Sequence, residues 1–237
     1  MKKSAHITSI CSITLKLCIF ISMTTGLAFT ISADDFTGRG TTFLYFTTQS
    51  NIWIGITCLL FAVLMIIGLR SKKSLLKNWM FTIKFIFTVA ITLTFLVMAL
   101  LLTPDMIASG YGDFFFTPGN IFPHYITPIL AVIDFLFFDT VWQSRWTHSI
   151  LAAIMPVYYL IFAFICSISG VIFTGGENVP YFFLNYDRLS WFRFTSKGPG
   201  VFWWIMILSI FVIGMGIVYI AANRQMRKMK FAKIAEE

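Results

Sequence analysis

FLYFTTQSNIWIGITCLLFAVLMIIGL, the stretch from Phe43 to Leu69, contains no Asp, Glu, Lys or Arg. As a helix rising 1.5 Å per residue it would reach about 40 Å, more than the roughly 30 Å hydrocarbon core of a bilayer. In hydrocarbon each backbone N–H and C=O must be bonded within its own segment, so the stretch reads as a membrane-spanning helix. Working outward, five more apolar runs fit the same description: Ile10 to Ala33, Trp79 to Leu102, Tyr125 to Trp142, Ile150 to Phe173 and Val201 to Ala222. The fourth is the shortest and carries Pro128, Asp134 and Asp139.

Composition agrees with this reading. Of 237 residues, 58% are hydrophobic and 12% charged, against roughly 25% charged in an average soluble domain. No linker-like or low-complexity stretch suggests a second unit. The expected fold is therefore all-α: one integral membrane domain over residues 1–237, a six-transmembrane-helix bundle with a basic tail at 223–237. Lys2 and Lys3 before the first run also fit a secretory signal, with Ala33 as the cleavage residue. The run is longer than a signal core of roughly 7 to 15 residues, and Ile31 stands where a small residue is needed, so a first spanning helix is expected.

Charge fixes the expected orientation. With the N-terminus inside, the cytoplasmic segments hold twelve basic residues: Lys2, Lys3, Arg70, Lys72, Lys73, Lys77, Arg145, Arg224, Arg227, Lys228, Lys230 and Lys233. The opposite side holds four, Arg39, Arg188, Arg193 and Lys197. This positive-inside bias places both termini in the cytoplasm of a multi-pass cell-membrane protein. The net charge of +8 then reflects topology and attraction to anionic lipid, not nucleic-acid binding. Cys11, Cys18, Cys58 and Cys166 all lie in apolar runs without C-x-x-C spacing, and His6, His124 and His148 are far apart. Neither a disulfide framework nor a metal site is indicated, and no cofactor is implied.

Polar residues at membrane depth are where function is sought. Thr47, Thr48, Gln49, Ser50 and Asn51 open the second run, with Thr47 and Asn51 four apart on one face. Back-bonding to the preceding turn and interhelical hydrogen bonding would account for them without function. Pro123-His124-Tyr125-Ile126-Thr127-Pro128 opens the fourth run. Both runs descend from the external side, so Thr47 and His124 can share a depth. A threonine hydroxyl is a poor nucleophile until a base takes its proton, and histidine suits that task. A histidine at a helix start can equally be a cap or a headgroup contact.

Three segments together carry a family resemblance: Leu44 through Asn51, the stretch HYITPILAVIDFLFF from His124 to Phe138, and Pro180-Tyr181-Phe182-Phe183-Leu184 through Trp191. They resemble a bacterial six-transmembrane branch, expected in the bacterial plasma membrane, of the androgen-induced gene 1 protein family, which includes the androgen-dependent regulator of tissue-factor-pathway inhibitor. Eukaryotic members are multi-pass threonine hydrolases of fatty acid esters of hydroxy fatty acids. The resemblance implies a membrane lipid or lipid ester as substrate, with Thr47 as nucleophile and His124 as base. The polar Thr-Gln-Ser-Asn run departs from the more apolar eukaryotic motif, and it leaves Thr48 as a competing nucleophile.

An oxyanion donor is also needed; Asn51 and Tyr125 are the candidates, each with a plain packing role as the alternative. Asp105 and Asp113 in the loop before the fourth run are available as a third triad member or as solvated acids. The segment from Gly175 to Gly200 is rich in aromatic residues and reads as a lid or as an interfacial belt. Lys84, about 9 Å into the third helix, is expected to pair with Asp134 or Asp139, either structurally or as part of an ion or proton path. Three functions follow: a lipid-ester hydrolase, an acyltransferase on the same Thr47–His124 pair, or a non-enzymatic transporter or scaffold.

Overall fold

The structure is a computed structural model that describes residues 2–37, 40–108, 110, 116–173, 176–196 and 198–236. It contains six helices long and apolar enough to cross a membrane. They are α1 (Lys2–Thr37), α2 (Phe46–Ser71), α3 (Asn78–Leu102), α4 (Pro118–Phe138), α5 (Trp146–Ile168) and α6 (Val201–Glu236). The chain is thus an all-α polytopic bundle. Isoleucines, leucines and phenylalanines on the outer faces of all six helices are exposed, as a lipid solvent requires.

α3 is the central helix. Of its apolar window 44% is buried, against 28–33% for the other five. α1 packs along α2 and α4 on one side of it, while α5 and α6 close the other side. Phe85, Phe135 and Trp142 form an aromatic cluster where α3 meets α4, with ring centroids 5.0 to 6.1 Å apart.

The main departure from the sequence expectation is α4. It starts at Pro118 instead of Tyr125 and ends at Phe138 instead of Trp142. Gly119, Asn120 and Pro123 look like loop residues in sequence, but α1 leaves room for this extra helix at Gly26, where an added Cβ would lie 2.9 Å from Phe122 Cβ and 3.0 Å from Pro123 Cδ. Pro123 has no N–H to give back along the helix. The helix widens into a π turn over Phe122–Ile126, and Thr30 of α1 donates to the Gly119 carbonyl at 3.3 Å. A second π turn, Met98–Leu102, ends α3. The fifth helix begins earlier than expected, with a 3₁₀ stretch over Trp146–Ala153.

The segment leading into α6 divides in two. Phe182–Leu184 and Tyr186–Leu189 are short helical turns that tuck Phe183, Leu184 and Leu189 inward. Trp191, Phe192 and Phe194 point outward, beside the small hairpin of β1 (Phe194–Thr195) and β2 (Gly198–Pro199). One part therefore covers the bundle, and the other has the exposed aromatic character of an interfacial belt.

Candidate active site at the mouth of the bundle

The N-terminal ends of α2 and α4 meet at one end of the bundle. α2 begins sharply because Tyr45 is extended, with φ −84° and ψ 142°, so Phe46 and Thr47 occupy its first turn. The Tyr45 side chain does not cap this end, which leaves the first amides without an acceptor inside the helix.

Thr47 Oγ1 lies 3.3 Å from His124 Nε2. The other ring nitrogen, Nδ1, is 2.9 Å from the Asn120 carbonyl. A carbonyl only accepts, so Nδ1 carries the proton and Nε2 is left free to accept from the threonine hydroxyl. His124 sits on the π turn of α4, roughly two turns into the helix; π turns are frequent at functional sites.

Asn51, one turn below Thr47, fixes the two helices to each other. Its side-chain amide donates to the Thr47 carbonyl at 2.8 Å and to the Pro123 carbonyl at 2.9 Å. Both amide hydrogens are therefore committed to backbone next to the pair. Tyr125 points elsewhere: its hydroxyl is 3.1 Å from Thr103 Oγ1 and its ring packs edge-on against Phe95. Thr48 is buried and does not contact His124 among the hydrogen bonds of the described residues. Asp113 and the side chain of Asp105 lie outside the described residues.

Two cavities meet at Thr47 and His124. The first is a cleft with almost wholly apolar walls, Leu93, Val97, Leu160, Leu208 and Val212 among them. Val157 also lines it while being 47% exposed, so this cavity borders the lipid-facing surface at α5. The second is an open vestibule with more polar walls, to which Asn120, Glu177, Asn185 and Arg188 contribute. Thr47, His124, Leu102 and Tyr181 line both.

Tyr181 was not singled out from sequence. It comes from the segment that covers the site, and its ring is held between Tyr45, Tyr159 and Phe183, with centroids 6.1, 6.1 and 5.3 Å away. Its hydroxyl interacts with the Thr47 side chain and with the amides of Thr47 and Phe46. Burial pushes the phenol up to about 12, so it keeps its proton at physiological pH.

The charged residues form a separate group near the opposite end. Lys84 bonds both Asp134 and, at 2.5 Å, Asp139. Lys16 of α1, not anticipated from sequence, reaches the same two carboxylates at 2.7 and 3.4 Å. All four side chains are buried, and two lysines balance two aspartates. A lone lysine expected to meet two aspartates left one charge unmatched, and that imbalance was the available sign of a second cation. None of the four lines either cavity. Comparison of the chain with protein-family models, with curated proteins and with solved structures returns no match.

Proposed function

We propose that the chain is an intramembrane lipid-ester hydrolase in which Thr47 is the nucleophile and His124 the general base. The observation that carries this reading is the Thr47–His124 hydrogen bond, 3.3 Å long, at the junction of an apolar cavity and a polar vestibule. That distance is slightly longer than the 2.6–3.2 Å of a formed catalytic contact, as is common in a resting site. A single-chain amphiphile fits the junction: its acyl tail in the apolar cavity, its polar end in the vestibule, its ester at Thr47. The resemblance to the androgen-induced gene 1 protein family supports the same two residues and points to fatty acid esters of hydroxy fatty acids.

The transporter reading has less support. Lys16, Lys84, Asp134 and Asp139 satisfy one another and border neither cavity, so they are better read as an anchor between helices. The test is labelling of detergent-purified protein with a fluorophosphonate, with the modified residue mapped by mass spectrometry. The adduct is expected on Thr47, lost in Thr47→Ala and His124→Ala and kept in Thr48→Ala. A well-folded wild type that takes no label, or takes it at Thr48, overturns the assignment.

A further inference from the structure

Attack on an ester carbonyl puts negative charge on the carbonyl oxygen, and in a water-poor site that charge needs a fixed donor. The donors closest in sequence are already spent. Both Asn51 amide hydrogens go to backbone carbonyls, and the Tyr125 hydroxyl lies with Thr103. Tyr181 is differently placed. It lines both cavities where they meet, is braced by three aromatic rings, and has its hydroxyl beside Thr47 and the first amides of α2.

We infer that Tyr181 is a catalytic residue, its phenol donating to the substrate carbonyl oxygen as that oxygen becomes an oxyanion. This rests on Thr47 being the nucleophile. Thr47 Oγ1 forms a bond to the carbonyl carbon as its proton passes to His124 Nε2, and the carbonyl π pair moves onto oxygen, where Tyr181 O–H meets it. The pair returns, the ester C–O bond breaks, and His124 hands its proton to the departing alcohol. Water then repeats the sequence on the acyl-threonine and releases the acid, regenerating Thr47 and neutral His124. Tyr181 gives a hydrogen bond throughout and keeps its proton. The covering segment thus supplies part of the chemistry as well as a roof.

The experiment uses full-length protein in nanodiscs with 4-nitrophenyl octanoate and the matching thionoester, whose sulfur accepts hydrogen bonds poorly. Tyr181→Phe, which keeps the ring, is expected to lower kcat on the ester by about 10²–10³ with KM within about threefold of wild type. It is also expected to shrink the preference for ester over thionoester and to slow fluorophosphonate labelling of Thr47, since the phosphoryl oxygen takes the oxyanion's place. Tyr186→Phe, in the same segment but 3.0 Å from Ser167 and outside both cavities, is expected to change none of these. A Tyr181→Phe protein with near-wild-type kcat, or with an unchanged ester-to-thionoester ratio, overturns the inference while an inactive Thr47→Ala leaves the nucleophile standing. If wild type neither turns over nor labels, or Thr47→Ala is as active as wild type, both readings fall.

Discussion

At the scale of single residues, the site depends on how one asparagine holds two helices. Asn51 is 3% exposed, and its two donors bridge the carbonyls of Thr47 and Pro123. One of these belongs to the proposed nucleophile and the other to the residue before the proposed base. Asn51→Leu keeps the branched heavy-atom skeleton and removes both bonds. The Thr47 carbonyl keeps Ser50 Oγ at 3.1 Å, but the Pro123 carbonyl loses its Asn51 donor, at a cost of about 1–3 kcal/mol, and α2 and α4 lose their common register at Thr47 and His124. The expected outcome is a lower melting temperature in nanodiscs together with a fall in kcat larger than any rise in KM. Melting that drops while kcat holds would make Asn51 a purely structural tie. Sequence showed that Thr47 and Asn51 share a helical face and that His124 lies at similar depth. It did not show Tyr181, because that residue is distant in the chain and its neighbours have the composition of an interfacial belt; only folding brings its hydroxyl to Thr47.

At the scale of elements, the paired charges act as a clamp. Lys16 joins α1, Lys84 joins α3, and Asp134 and Asp139 stand on or just beyond α4. Asn223 of α6 adds a bond to the Asp139 carbonyl at 3.2 Å. Burying four charges is expensive, and the arrangement is tolerable because each finds partners of opposite sign. Removing one partner strands another in a dry interior, which is worth about 3–5 kcal/mol. Asp134→Ala is therefore expected to unfold the bundle at markedly lower denaturant, while replacing Lys16 and Asp134 together by Met and Leu restores much of the loss. A double variant no more stable than Asp134→Ala would show that the charges do something other than balance one another. The spanning helices themselves were legible because apolar length is a direct consequence of the solvent. Their ends were not: the seven residues by which α4 begins early, 118–124, carry turn-forming types, and their helix depends on contact with α1 at Gly26, a tertiary effect.

For the whole molecule, the two ends of the bundle differ in kind, and that difference predicts which side of the membrane the candidate site faces. Arg70, Lys72, Lys73, Lys77, Arg145, Arg224, Arg227, Lys228 and Lys230 gather at the end where α2, α4 and α6 terminate. Thr47, His124 and the covering segment lie at the other end. A basic end is retained on the cytoplasmic side, so the vestibule should open to the outside and receive its water there. The apolar cavity reaches the lipid-facing surface at Val157, and a lipid ester from the outer leaflet could reach Thr47 without crossing the bundle. Single cysteines in a background free of native ones test this in intact cells. A membrane-impermeant maleimide should label Asp187→Cys, in the exposed part of the covering segment, and should label Lys73→Cys only after the cells are opened. The reverse pattern would turn the site toward the cytoplasm and require its substrate to come from the inner leaflet.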